Sequence, residues 1–336
     1  MTLQFKLSNR DSKELVVFLS PMDLPADKLP HFSDSTTAEF STLLVNPANR
    51  NFYLDCLDEL CELIKDSQQK TGASSLIFCG SSMGGYGALL LGALFKETTI
   101  VVAYAPCLRI DHPGSLSEQN VDRSLLTHPY NNLIPLLDKS DAKMFIYFPC
   151  IDRQDGIHIQ DAIQLKGKLH RYIYVLLCEH DIHKHISLPA NVSTVLQTGA
   201  APENLIRPFL ASDFEVECSM LVYQFYLNEQ QHLQKDFQVP DLPTENSRNW
   251  MYFYWKARYQ HGRKQFWQSL LNFQFALALG GDRYAEVYFC IANSLKALRQ
   301  LHAAMGYYRQ AEQVAPSKAT KNAMEQLHLI IEKQAI

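Results

Sequence analysis

Residues 75–88 read Ser-Leu-Ile-Phe-Cys-Gly-Ser-Ser-Met-Gly-Gly-Tyr-Gly-Ala, and this stretch decides the fold. Its first five residues are a short apolar run bounded by turn formers, which predicts a buried strand. Behind it come four glycines in eight residues, then an apolar pattern of helical period that runs to Phe95. Between the two lies Gly80-Ser81-Ser82-Met83-Gly84, a G-x-S-x-G sequence in a strand-to-helix setting. A serine at such a turn needs a strained backbone, so the residues two before and two after it must be glycine to avoid a clash. The helix that follows points its free N–H groups at any oxyanion that forms beside it. By register Ser82, not Ser81, is the nucleophile. A phosphate-cradling loop is disfavoured, because no lysine follows in the G-x-x-x-x-G-K-[ST] arrangement.

Working outward, similar apolar runs occur at 14–20 (ELVVFLS), 99–104 (TIVVAY), 143–148 (KMFIYF) and 172–178 (YIYVLLC). Helical patterns separate them, at Tyr53–Ser67, Gly85–Phe95 and Gln160–Leu169. Strands that alternate with helices and are apolar almost throughout predict an α/β fold, a mostly parallel sheet covered by helices on both faces.

A serine hydroxyl is inert at neutral pH without a base, and the base needs an orienting acid. In the strand–turn–helix type of hydrolase these follow in the order serine, acid, histidine, each just past a later strand. After 143–148 the sequence offers Asp152 and Asp155; after 172–178 it offers His180, His183 and His185. Asp155 and His180 are the preferred acid and base, with Asp152 and His183 their rivals. One oxyanion donor is expected from the Met83 N–H. Pro21 cannot donate, so the second is expected from the Met22 N–H or the Ser20 hydroxyl; the usual His-Gly pair is missing there. His158, His180, His183 and His185 also permit a metal site. That reading is disfavoured, because nothing fixes a tetrahedral ligand set and the serine would go unexplained. Neither a metal nor a cofactor is predicted.

The chain has 336 residues, 47% of them apolar and 20% charged, with 31 basic against 35 acidic side chains and a formal charge of −4. That excludes a disordered polypeptide and gives no basic stretch for nucleic acid. No apolar run approaches the ~20 residues of a spanning helix. The opening MTLQFKLSNRDSKE is interrupted by Lys6, Arg10 and Asp11 and is not expected to be a secretory leader. The eight cysteines include no C-x-x-C pair; Cys79, Cys150 and Cys178 end apolar runs and Cys56 and Cys61 lie on a helical pattern, which predicts reduced packing residues in a cytoplasmic protein.

The pattern changes near residue 236. Phe237–Asn246 (FQVPDLPTEN) holds two prolines and several turn formers, and the remainder is helical in period. The expected organisation is therefore 1–236 as the α/β domain, 237–247 as a linker and 248–336 as a smaller all-α domain. Counting from Ala285, bulky and small residues fall at Tyr288, Ile291, Ala292, Leu295, Ala304, Tyr308 and Ala311, with Pro316 closing the unit. Counting from Trp250, the matching positions are Phe253, Ala257, Ser269, Phe273, Ala276 and Gly281. This pattern resembles tetratricopeptide repeats, whose period is about 34 residues. Asn322–Ile331 reads as a closing helix.

Over roughly residues 12–200 the chain resembles the α/β-hydrolase superfamily, through GSSMGGYGALLLGA, TIVVAYAPCLRID, the Asp155-x-x-His158 sequence and the His180-Asp-Ile that precedes Ile186. It is similar to a compact bacterial branch of that superfamily, which includes domains resembling capsule O-acetyltransferases, esterases and the acetyltransferase-like component of accessory secretion systems. The resemblance implies Ser82 as nucleophile, Asp155 as acid and His180 as base. It further implies a serine esterase or acyltransferase working through an acyl-enzyme, on a small-molecule ester or the O-acetyl groups of a glycan. The alternative is a non-catalytic hydrolase-fold scaffold whose helical repeats recruit a protein partner.

Overall fold

The computed structural model describes residues 3–30, 39–113, 115–152, 155–165, 170–231 and 247–334. Seven strands form one sheet: β1 (Leu3–Ser8), β2 (Glu14–Leu19), β3 (Ser41–Pro47), β4 (Ser75–Ser81), β5 (Thr98–Tyr104), β6 (Lys143–Pro149) and β7 (Arg171–Leu176). Their order is β1-β3-β2-β4-β5-β6-β7. β1 runs antiparallel to β3, and every other pairing is parallel. The five strands expected from the apolar runs are present, with ends displaced by one or two residues. β1 and β3 are additions to that reading.

The parallel strands inside the sheet are largely buried on both sides, so their side chains are apolar without alternation, whereas the edge strand β7 is partly exposed. On one face Val16, Phe18, Ile77, Cys79, Val102, Tyr104, Phe145 and Tyr147 form a core with Val192 and Val195 of α6 (Leu188–Thr198). The opposite face receives α1 (Leu57–Thr71), against β2 and β3, and α2 (Met83–Leu94), against β4 and β5. Tyr104, Tyr147 and Tyr174 are paired across β5, β6 and β7, and their rings stack at 5.0 and 5.1 Å between centroids. Between β5 and β6 lie the short helices α3 (Leu116–Asn120) and α4 (Ile134–Leu137). α5 (Asp155–Ile163) follows β6, and α7 (Glu203–Ile206) follows α6.

Two of the expected helices need correction. α1 starts at Leu57, because Leu54–Cys56 form a 3-10 turn instead. The helix expected over Gln160–Leu169 starts at Asp155 and ends at Ile163, while 166–169 lie outside the described residues. Asp155 is therefore the first residue of a helix, not part of the loop before it.

The chain divides into two units, Met1–Cys150 with Gln154–Ser212, and Ile151–Arg153 with Asp213–Ile336. This division comes earlier than the boundary expected at residue 236. The reason is α8 (Asp213–Gln231), a helix that packs on α9 (Trp250–Gly262) of the second unit. Residues 237–246 of the expected linker lie outside the described residues.

The second unit continues with α10 (Phe266–Ala278), α11 (Ala285–Ala297), α12 (Leu301–Val314) and α13 (Lys318–Gln334), each packed on its predecessor. Two helix–turn–helix pairs thus begin at Trp250 and Ala285, the two positions from which the repeat was counted. Small Ala257, Ala276, Ala304 and Ala311 are fully buried, which lets these helices approach closely, and Phe273 and Tyr308 fill the space beside them. Of the other aromatics on α9 and α10, Tyr252, Tyr254 and Trp255 are buried as packing residues, whereas Trp267 is 61% exposed. All eight cysteines are free thiols. Among the described residues no helix is long and apolar enough to cross a membrane.

Candidate active site

Ser82 stands alone between β4 and α2, with φ 53° and ψ −119°. A non-glycine residue in that region stores of order 1–3 kcal/mol of strain, which the surroundings must hold in place. They do so from three sides. The Ser82 N–H donates to the Tyr104 carbonyl at 2.8 Å, and its own carbonyl accepts from the Tyr86 N–H at 3.0 Å. A Cβ on Gly80 would stand 2.2 Å from the Gly84 carbonyl oxygen, and one on Gly84 would stand 2.2 Å from that of Leu19. Both approaches exclude any side chain. The glycines are fixed by the turn, and the turn lifts the serine hydroxyl above the sheet.

The next two groups arrive from later strands. His180 lies four residues beyond the end of β7, and Asp155 opens α5 after β6. His180 Nε2 is 3.2 Å from Ser82 Oγ, and His180 Nδ1 is 2.9 Å from Asp155 Oδ2. The three residues thus form one chain of hydrogen bonds at the C-terminal edge of the parallel sheet, where open α/β sheets carry their sites. The Asp155 side chain is 3% exposed and that of His180 is 41% exposed. A shielded carboxylate beside one ring nitrogen favours the tautomer with its proton on Nδ1, leaving Nε2 to accept from the serine. The rivals lie elsewhere. His183 and His185 are exposed, in and after the 3-10 turn Ile182–Lys184, and His180 bonds Asp155.

Met83 is the first residue of α2, so its N–H has no carbonyl one turn back within the helix to bond. Met22 lies in the turn after β2, whose last residue Leu19 is paired with Gly80. The Ser20 hydroxyl, the other expected donor, is fully buried and donates to Asn46 Oδ1 at 2.5 Å. It is committed to the core.

A second polar group lies one turn further along α5, and sequence reasoning missed most of it. His112 Nε2 and Asp161 Oδ2 are 2.6 Å apart, and both side chains are under a tenth exposed. The His158 ring is 5.6 Å from that of His112. Burial, followed by electrostatic coupling to His112, His180 and Arg109, pushes the His158 imidazole down to about 3. Burial likewise pushes the Cys107 thiol up to about 12, with Asp161 and Asp155 adding to the rise. A helix starting at Asp155 puts residues 155, 158 and 161 on successive turns; the spacing i, i+3, i+6 was the available signal. The helical unit holds a separate groove of about 830 Å³, lined in part by Trp255, Arg258, Tyr259 and Cys290. In it Arg258 is already paired with Glu229, with Glu286 at 2.7 Å and with the Tyr254 hydroxyl.

No protein-family model matches the chain, and no curated protein matches it either. Among solved structures it is similar to the glycosylation-associated protein complex of Streptococcus agalactiae, at 16% identity and a TM-score of 0.42, over 55% of this chain and 42% of that one. It is also similar to 2,6-dihydroxy-pseudo-oxynicotine hydrolase, at 12% identity and a TM-score of 0.41, over 60% of this chain and 66% of the other. A carboxylesterase of the thaumarchaeon Nitrososphaera gargenis gives 9% identity and a TM-score of 0.40, over 58% and 92%. The chain spans less than two thirds of the length of the first two, at 42% and 66%. Likeness at this level carries no argument about family or role. The first unit is a mostly parallel seven-stranded sheet with helices on both faces.

Proposed function

We propose that this chain is a serine esterase or O-acyltransferase that works through an acyl-enzyme on Ser82. The reading rests on one observation, the hydrogen-bond chain from Ser82 Oγ through His180 to Asp155, at 3.2 and 2.9 Å. In the first half-reaction Ser82 Oγ attacks an ester carbonyl while His180 Nε2 takes its proton. The imidazolium formed is stabilised by Asp155. The tetrahedral oxyanion accepts from the Met83 N–H, with the Met22 N–H as the second donor. The intermediate collapses, the C–O bond to the leaving alcohol breaks, and His180 returns the proton to that alcohol. Water or a second hydroxyl then gives its proton to His180 and attacks the acyl-enzyme; the second intermediate collapses, the acyl–Oγ bond breaks and His180 returns the proton to Ser82 Oγ. O-acetyl groups of a glycan are the substrate class we favour, with no metal or cofactor in the reaction. Hydrolysis of p-nitrophenyl acetate, with and without a glycan acceptor, tests the reading. Release of p-nitrophenol that is abolished in Ser82→Ala supports it, and release that survives in that variant refutes it.

A second reading keeps the hydrolase fold as a scaffold and gives the work to residues 248–336 as tetratricopeptide-like repeats. The groove lined by Trp255 and Tyr259 is the observation in its favour. Partner recovery from the full chain, compared with a chain ending at residue 236, tests it; equal recovery counts against the repeats as the binding element.

A further inference from the structure

We propose that His112, His158 and Asp161 form a binding site for a divalent transition-metal ion of the zinc class, which clamps the segment after β5 to α5. One nitrogen or oxygen atom from each residue lies within 4.8 Å of the other two, and all three residues are buried. The residues are 6%, 6% and 5% exposed, in that order. Two imidazoles and a carboxylate are donors that zinc takes at about 2.0–2.2 Å, which sets neighbouring ligand atoms roughly 3.4 Å apart on a tetrahedron. The His112–Asp161 approach of 2.6 Å is shorter than this, and the other two separations are no more than 4.8 Å. An ion entering it would replace the His112–Asp161 hydrogen bond with two coordinate bonds, and the two side chains would separate by less than 1 Å or so.

An independent observation points the same way. Among the described residues, His158 Nδ1 is buried and has no hydrogen-bond partner. Leaving such an atom unsatisfied costs about 1–3 kcal/mol, and native interiors rarely do so without a reason. Coordination in this cluster supplies an imidazole nitrogen with a partner.

The backbone suits the purpose. His158 and Asp161 are three residues apart on α5, so one helix presents both to a common point. His112 comes from a segment 49 residues before Asp161, beyond the end of β5. A bound ion would therefore tie a long connection to the helix whose first residue is Asp155. Its role in this account is structural, and its binding is measured without turnover, so it stands or falls separately from the esterase reading.

The test uses the full chain, treated with EDTA, desalted into a thiol-reducing buffer and titrated with zinc chloride by calorimetry. Cobalt(II) serves as the spectroscopic probe. One equivalent is expected, with a melting temperature raised by about 5 °C at a hundredfold excess over Kd. Cobalt(II) should give visible d–d bands without thiolate charge transfer. His158→Gln and Asp161→Asn should each lose the equivalent while keeping the wild-type circular dichroism. The double variant His183→Ala, His185→Ala, which changes exposed histidines outside the cluster, should keep it. The proposal is overturned by wild-type protein that binds no equivalent, by binding that persists in folded His158→Gln, or by binding that disappears with His183 and His185. Thiolate charge transfer in the cobalt spectrum would assign the ion to cysteine and overturn it as well, whether or not the variants fold.

Discussion

Helix α5 carries two carboxylates, Asp155 and Asp161, and each is bonded to a histidine from another element. The pairs are alike in chemistry, at 2.9 and 2.6 Å, yet their surroundings differ in two respects. The His180 side chain is 41% exposed and its second nitrogen faces a serine hydroxyl, whereas His112 is 8% exposed. The contrast teaches that a histidine–carboxylate pair is not in itself a catalytic device. On the function proposed above, it becomes one where the far nitrogen of the ring meets a serine hydroxyl held on a strained turn. Fully enclosed, the same pair is suited to holding elements together, or an ion between them.

Substitutions along the two pairs should separate these roles. The largest contrast is expected between the histidines. His180→Gln should lower kcat by about 10⁴-fold or more, as should Ser82→Ala, with little change in melting temperature. His112→Gln should cost less than about tenfold in kcat, because its hydrogen bond is to Asp161. Steady-state kinetics on p-nitrophenyl acetate reads both, and equal losses would erase the distinction.

The carboxylates come next. Asp155→Asn should lower kcat by about 10⁴ through the wrong imidazole tautomer. Asp161→Asn should instead lower stability, by about 1–3 kcal/mol in urea unfolding, since it weakens a buried charge-assisted hydrogen bond. A matched pair of kinetic and unfolding measurements on each variant decides the point.

Gly84→Ala tests the strained turn that distinguishes the first pair. Its Cβ would meet the Leu19 carbonyl oxygen at 2.2 Å, and that oxygen belongs to the backbone of a central strand. We expect a loss of about 3 kcal/mol or more, or failure to fold, against an effect within about 0.5 kcal/mol for an exposed change such as Trp267→Ala. The smallest effect concerns Cys107, whose thiol is pushed up to about 12 by burial and then by Asp161 and Asp155. A raised thiol pKa keeps the neutral form dominant at pH 8, so iodoacetamide should modify Cys107 in the native protein far more slowly than after unfolding. Peptide mapping by mass spectrometry follows it, and equal native and unfolded rates would contradict that environment.

Much of the hydrogen-bonded chain Ser82–His180–Asp155 was readable from residues alone. The elbow is legible because glycine is forced at Gly80 and Gly84 by backbone approaches that any sequence folding this way must respect. Asp155 and His180 are legible because each follows a strongly apolar strand in a fixed order. The enclosed pair was not, because His112 and Asp161 meet across 49 residues by a tertiary contact that no local pattern announces. The fold divides in the same way. β4 to β7 advertise themselves as apolar runs between helices. β1 is largely exposed, with Lys6 at its centre, and β3 finds its place only by inserting between β1 and β2. α8 joined the second unit through packing on α9, where composition had put the boundary at the prolines beyond it.

The central claim is that Ser82 is a nucleophile activated by His180. Intact-mass analysis after incubation with a fluorophosphonate, an active-site serine probe, tests it most directly. The account predicts one adduct on the wild-type chain, mapped to Ser82, no adduct on Ser82→Ala, and labelling slowed by orders of magnitude in His180→Gln. A wild-type chain that takes no adduct, or a Ser82→Ala chain labelled as fast as wild type, would contradict it.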